Sequence, residues 1–335
     1  MKPVIFGLSG PVLTPDERAF FRDASPVGYI LFGRNIVDRA QLRALTDALR
    51  AIDGRDDLPI LIDQEGGRVA RMRAPEWPDF PPGAAFGALY DVAPISAIEA
   101  ARSNARALGL MLREVGITVD CLPLLDVAQP GAHAAIGDRS YGAEPMRVAA
   151  LGRATLEGLA AAGVVGVVKH MPGQGRAAVD SHHQLPVVTA DEAALATDLE
   201  PFERLAWAPM GMTGHVVFEA WDPAAPATLS PIVIEEVIRG RIGFDGLLMS
   251  DDLDMKALSG TAAERAAGCV AAGCDVALNC WGRMAEMVAI ADALPDITER
   301  GRERLARAMA SVEGAVESEP FETLAAHRDA LLALA

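Results

Sequence analysis

Eight short apolar runs recur along the chain, at residues 4–8, 27–32, 58–63, 117–122, 164–169, 209–215, 246–251 and 274–279. They are nearly continuous in Val, Ile, Leu and Met, the pattern of strands buried on both faces rather than one. Between them lie stretches with apolar positions at helical spacing, at 38–52, 93–115, 146–162, 190–205 and 262–272. Strand and helix in alternation predict parallel strands. Eight such units predict a closed (β/α)8 TIM barrel, a fold of about 250 residues. The chain has 335 residues. The surplus is expected in loops and in C-terminal helices from about residue 298 that pack on the barrel. The whole is read as one α/β domain.

A doubly wound open sheet is the competing fold. It requires a Gly-rich phosphate turn after the first strand, but that strand leads into "GLSGPVLTP", with Pro where a helix should begin. Gly173, Gly175 and Ala178 fit G-x-G-x-x-A by letter. Pro172 precedes them, however, and "VDSHHQLP" follows where a long helix is required. No P-loop pattern, low-complexity tract or linker interrupts the βα alternation.

Charge and cysteine usage narrow the partners. The net charge of −16 argues against nucleic acid or an anionic membrane. It suits a protein that acts on a small ligand, and a monomer is expected. Cys121, Cys269, Cys274 and Cys280 lie in apolar contexts without a C-x-x-C pair, as free thiols of a core do. The N-terminal apolar run is broken by Gly and Pro and is too short for a signal peptide. A cytoplasmic location is expected.

The ionisable residues fall at the ends of the predicted strands. Asp63 ends the third, Asp126 follows the fourth, Lys169 and His170 end the fifth, His215 the sixth, and Asp251 and Asp252 the seventh. In a barrel these ends form the face that carries the active site. Each residue singly has an ordinary explanation. Asp63 is placed to cap a helix, Lys169 to pair with Asp251, and His215 to be a satisfied core histidine. Together they describe a polar cleft.

Three chemistries compete for that cleft. A metal hydrolase would draw on His170, His182 and His183, but the first strand ends in Leu8-Ser9-Gly10 and lacks the usual H-x-H pair. A non-catalytic sugar-binding barrel would have lost its nucleophile or acid. A hydrolase without metal needs a nucleophile, a proton donor and a clamp on the substrate. Asp251 and Asp252 supply carboxylates, while Arg71, Arg139 and Lys169 supply charged donors. The segment after His170 carries Asp180 and His182, spaced so that a carboxylate can orient an imidazole. Gly173 and Gly175 give it pivots to swing on.

"KHMPGQGRAAVDSHHQLP" resembles the K-H-[FI]-P-G-x-G-x(4)-D-[ST]-H signature of family 3 glycoside hydrolases, in the β-N-acetylglucosaminidase branch. "IDQEGGRVAR", "IGDRSYG" and "MSDDLDM" resemble further blocks of that family, in the same order, over residues 6–279. The resemblance implies a single-domain TIM barrel of the short bacterial cytoplasmic type. Those enzymes release terminal N-acetylglucosamine from anhydro-muropeptides in cell-wall recycling, with no metal or cofactor. It implies Asp251 as the nucleophile of a covalent glycosyl-enzyme and His182 as acid/base, partnered by Asp180. It implies Asp63, Arg71, Arg139, Lys169 and His170 as sugar-binding residues. Retention of configuration would follow, although retaining enzymes ordinarily use two carboxylates about 5–5.5 Å apart. Some relatives with a His acid/base are phosphorylases, which leaves phosphorolysis as an alternative. Met171 and Gln174 depart from the signature, standing where Phe or Ile and His are common. Trp281, just past the eighth strand, is placed either to stack on a sugar or to sit in the core.

Overall fold

The computed structural model describes residues 1–131, 133–314 and 319–335. Its strands in chain order are β1 (Lys2–Gly7), β2 (Pro26–Leu31), β3 (Ile60–Ile62), β4 (Val119–Asp120), β5 (Val165–Met171), β6 (Val187–Val188), β7 (Met210–Thr213), β8 (Val217–Phe218), β9 (Leu247–Asp252) and β10 (Val276–Asn279). Eight of them close a parallel barrel in the order β1-β10-β9-β7-β5-β4-β3-β2. Every predicted strand is there. The unbroken apolar runs are explained by two separate cores. Ile5, Ile30, Leu61, Val167, Met249 and Leu278 point into the barrel. Their neighbours Val4, Phe6, Tyr29, Leu31, Ile60 and Ile62 point outward, into the layer shared with the helices. Each strand thus buries both faces.

The helices are α1 (Pro15–Ala24), α2 (Arg39–Asp53), α3 (Gly83–Val92), α4 (Pro94–Glu114), α5 (Pro145–Ala161), α6 (Glu192–Arg204), α7 (Ala262–Ala272), α8 (Met284–Ala293), α9 (Glu299–Ala310) and α10 (Phe321–Leu332). The start of α7 is fixed by a reciprocal cap in which the Thr261 side chain accepts from Glu264 N and the Glu264 side chain accepts from Thr261 N. The helix ends at Gly273, whose φ of 115° an L side chain rarely adopts. The turn Val233–Arg241 is π-helical. The C-terminal pair divides its work. Leu305, Ala308 and Met309 of α9, with Ile297, join the apolar cluster inside the barrel. Helix α10 packs on α4 and α3.

Two departures from the sequence pattern bear on the site. Strand β4 is two residues long rather than six, because Leu122 N turns back to Asp120 O and Pro123 has no N–H for the ladder. Outside the barrel, β6 and β8 pair in parallel, Val187 with Val217 and Val188 with Phe218. This pair fastens the end of the segment after β5 to the segment after β7.

Candidate active site

A cavity of about 260 Å³ opens at the C-terminal ends of the strands. Residues on or just past β2, β3, β5, β7, β9 and β10 line it, among them Phe32, Asp63, Lys169, His170, Met212, Asp251, Asp252 and Cys280. The loops add Glu65, Arg71, Arg139, Asp180 and His182. All eight residues expected at the site line this one cavity.

One wall is an ion-pair network. Lys169 is 2% exposed, and its Nζ lies 2.6 Å from Glu65 Oε1 and 3.2 Å from Asp63 Oδ1. Arg139 donates to both Glu65 oxygens, from Nε at 2.8 Å and Nη2 at 2.7 Å. Arg71 Nη2 donates to Asp63 Oδ2 at 3.1 Å. Burial would raise both carboxyls, but Lys169 with Arg71 holds Asp63 below the usual carboxylate range, and Lys169 with Arg139 does the same for Glu65. Burial would lower the Lys169 ammonium, yet Glu65 and Asp63 raise it. The expected pairing of Lys169 with Asp251 is not found. Its short reach from β5 goes to β3 and the loop after it, where two carboxylates outweigh one. Nor does Asp63 cap a helix, since its oxygens serve Lys169 and Arg71.

Nothing in the sequence pattern singles out Glu65, although it ties two of the expected cations together. The loop that carries it is stapled by Gln64. Oε1 of Gln64 accepts from Arg71 N and Met72 N, Nε2 donates to Met72 O, and its own backbone N donates to Asp120 Oδ1. Asp120, fully buried at the end of β4, has its carboxyl pushed well up by burial.

The opposite side is a carboxylate–imidazole–carboxylate chain. Asp126 Oδ2 lies 2.7 Å from His170 Nδ1, and His170 Nε2 lies 4.0 Å from Asp251 Oδ2. Asp126 can only accept, so Nδ1 carries the proton and Nε2 faces Asp251. Asp251 Oδ1 accepts from Asp252 N at 2.8 Å. Burial would raise its carboxyl, but His170, His215 and the Asp252 N–H hold it low, so Asp251 is an anion at neutral pH. Asp252 differs. Its Oδ1 accepts from Asp254 N and Cys280 N, and burial, with Asp254 and Asp251 nearby, pushes it up to about 7. His215 is fully buried between Thr228 Oγ1 and Asp252 O and does not reach the cavity, which is the satisfied core histidine expected as its ordinary explanation.

Over this floor lies the segment between β5 and β6. Asp180 Oδ1 accepts from His182 Nδ1 at 2.8 Å and from His182 N at 2.9 Å. The ring is therefore protonated on Nδ1, leaving Nε2 for proton transfer. Burial would raise the Asp180 carboxyl, but His182 keeps it low. His182 itself is 66% exposed. The segment is tied down at several points. Gln174 N donates to Asp126 Oδ1, Gln174 Nε2 to Ser181 Oγ, Ala257 N to Ser181 O, and Arg176 Nε to Asp198 Oδ2. Gly175 is glycine for close packing rather than as a pivot, since a Cβ there would stand 1.8 Å from Val127 O.

His170, His182 and His183 do not converge as ligands would. The first two have Nδ1 on Asp126 and Asp180. Among the described residues, no group of three or more His, Cys, Asp or Glu side chains is arranged to hold a metal ion.

A low-pKa carboxylate, a carboxylate-held imidazole and a charged clamp around one cavity at the barrel rim define a hydrolase that works on a polar, hydroxyl-rich substrate. Residues 15–317 match the glycosyl hydrolase family 3 N terminal domain. The chain belongs to glycoside hydrolase family 3. It is 40% identical over 283 residues to the β-hexosaminidase of Alkalilimnicola ehrlichii, covering 83% of this chain and 80% of that one. It is 38% identical over 283 residues to the β-hexosaminidase of Bordetella avium, with the same coverage. The crystal structure of native NagZ from Neisseria gonorrhoeae superposes with a TM-score of 0.88 at 32% identity, covering 98% of this chain and 97% of that one. The same Neisseria protein in complex with N-trifluoroacetyl-D-glucosamine gives a TM-score of 0.87 at 32% identity, covering 99% and 98%.

Proposed function

We propose that the chain is a retaining exo-β-N-acetylglucosaminidase. Its substrate would be the terminal, non-reducing N-acetylglucosamine of peptidoglycan fragments, GlcNAc-anhydro-MurNAc peptides, turned over in cell-wall recycling. The observation that carries this reading is the presence of Asp251 and the Asp180–His182 pair on one cavity, opposite the Lys169–Glu65–Arg139 network. Support comes from the hexosaminidase names of the relatives and from the glucosamine derivative bound by the Neisseria protein. All four cysteines are buried free thiols, which fits a reducing compartment such as the cytoplasm. Among the described residues, no helix is long and apolar enough to cross a membrane.

In this mechanism Asp63, Arg71, Arg139, Lys169 and His170 hold the sugar. An Asp251 oxygen attacks the anomeric carbon as its bond to the leaving oxygen breaks. The protonated His182 gives its Nε2 proton to that oxygen, and Asp180 stabilises the imidazolium. A covalent glycosyl-Asp251 ester and the free alcohol result. Neutral His182 then takes a proton from water, whose oxygen attacks the anomeric carbon and releases Asp251. Two inversions give net retention, and no metal or cofactor enters either step.

The test is release of p-nitrophenol from p-nitrophenyl N-acetyl-β-glucosaminide, with and without EDTA, beside Asp251→Asn. Release that survives EDTA and collapses in the variant supports the reading. Release abolished by EDTA and retained by Asp251→Asn would sink it.

A further inference from the structure

One buried carboxylate reaches both halves of the proposed machinery, and no step of the mechanism uses it. Asp126 is fully buried and is not among the residues that line the cavity, so it does not meet the substrate itself. Three donors converge on it. Oδ2 faces His170 Nδ1 at 2.7 Å, and Oδ1 accepts from His170 N at 3.3 Å and from Gln174 N at 2.6 Å. His170 is on β5, with Nε2 4.0 Å from Asp251 Oδ2. Gln174 belongs to the segment over the cavity, and its Nε2 donates at 3.1 Å to the hydroxyl of Ser181, the residue between Asp180 and His182. One oxygen of Asp126 thus fixes the imidazole beside Asp251, and the other anchors the segment that carries His182. Asp126 has little freedom of its own. Its carbonyl accepts from Ser140 Oγ at 2.7 Å, and Leu125 N, one residue earlier, donates to Lys169 O at 2.7 Å.

The donors explain why a carboxylate stands here. Two of the three are backbone N–H groups, whose protons are fixed. The third, Nδ1, can carry a proton or lack one, and the atom opposite decides which. An asparagine would keep one oxygen for the two backbone donors and turn its NH2 toward Nδ1. Nδ1 would then have to accept, and the ring proton would sit on Nε2, the nitrogen that faces Asp251. A hydrogen bond from Nε2–H to Asp251 stabilises that carboxylate as an anion and so weakens it as a nucleophile.

We propose that Asp126 is a positioning residue for both reacting groups. It holds His170 with its proton on Nδ1 beside Asp251, and through Gln174 and Ser181 it sets where His182 stands. The inference rests on the glycosidase reading.

The test uses the full chain with its Asp126→Asn and Gln174→Met variants. NMR of histidine side chains labelled with heavy nitrogen, with His170 assigned by its loss in His170→Gln, reads the Nδ1 proton independently of activity. Nδ1 of His170 should carry a proton in the parent and lack it in Asp126→Asn. On p-nitrophenyl N-acetyl-β-glucosaminide, Asp126→Asn should lower kcat/KM at least about tenfold, mainly through kcat, because reacting groups are misplaced rather than removed. Gln174→Met keeps the backbone bond to Asp126 and deletes only the one to Ser181. It should slow alkyl glycosides more than activated phenyl glycosides, because only the proton donor is displaced. A parent Nδ1 without a proton would overturn the inference before any variant is made. So would an Nδ1 proton retained in Asp126→Asn, or an unchanged kcat/KM in that variant, while p-nitrophenol release by the parent left the glycosidase reading standing. If Asp126→Asn does not fold, Gln174→Met decides, and equal effects on alkyl and phenyl glycosides would overturn the link to His182. A parent inert on the p-nitrophenyl glycoside would overturn both readings.

Discussion

Glu65 Oε1 and Lys169 Nζ meet at 2.6 Å, with side chains only 4% and 2% exposed. Glu65 is also the bidentate partner of Arg139. Its carboxylate therefore sets the distance between two cations assigned to the sugar. Glu65→Ala leaves those charges buried with Asp63 as their remaining close anion. A loss of about 3–5 kcal/mol of stability is expected, as when one member of a buried pair is removed. Denaturant unfolding measures it. A loss below about 1 kcal/mol would mean that water enters and the network is not closed.

His182→Ala removes the proposed proton donor but spares Asp251. Rates on glycosides with activated phenol leaving groups should fall least, because those need no proton. Rates on alkyl glycosides should fall by about 10²–10⁴-fold, the usual worth of acid catalysis. The slope of log kcat/KM against leaving-group pKa should steepen in the variant. An unchanged slope would remove His182 from the role.

Asp252 gives a signed pH prediction. In the folded chain its carboxyl is pushed up to about 7, whereas an unfolded aspartate ionises near pH 4. Between those values the folded state binds the extra proton. This carboxyl's contribution to stability is therefore full below about pH 4, falls as pH rises, and levels off above about pH 7. Asp252→Asn should flatten that part of the curve, which unfolding midpoints at about pH 5 and pH 8 would show. An unaltered difference between them would indicate an ordinary aspartate.

Gly175→Ala forces a Cβ to within 1.8 Å of Val127 O unless the segment moves. Displacement shifts Gln174, Ser181 and the Asp180–His182 pair with it. Activity should fall at least about tenfold, since small misplacements of catalytic groups are costly, while circular dichroism still reports a folded barrel. Activity within twofold of the parent would show that the segment is looser than its hydrogen bonds imply.

Phosphate separates the two outcomes of a glycosyl-enzyme. In the proposed mechanism His182 is neutral after giving up its proton and would not repel an anionic acceptor. Free N-acetylglucosamine is the expected product, at a rate that does not rise with phosphate. Formation of N-acetylglucosamine 1-phosphate would instead make the chain a phosphorylase.

The strands were legible because burial on two faces leaves an unbroken apolar run, as at Val4, Ile5 and Phe6, which alternate between outer and inner cores. The ends of β4 were not, since a backbone turn at Leu122 and a proline decide them. Asp180 and His182 could be paired on paper because they are two residues apart. Glu65 could not, because its partners Arg139 and Lys169 come from distant segments and an acid before two glycines looks like an ordinary turn residue. The sequence pattern pairs Lys169 with Asp251 for the same reason, since sequence order does not tell which strand end faces which.

Helix α9 leaves one last consequence. With Leu305, Ala308 and Met309 joining the apolar cluster inside the barrel, the described residues offer the cavity no rear exit. Traffic is then last-in, first-out: the leaving group nearest the entrance must depart before the sugar beneath it. On the proposed exo reading, a long chain would present only its tip, and a free sugar added afterwards would compete with substrate for the same doorway.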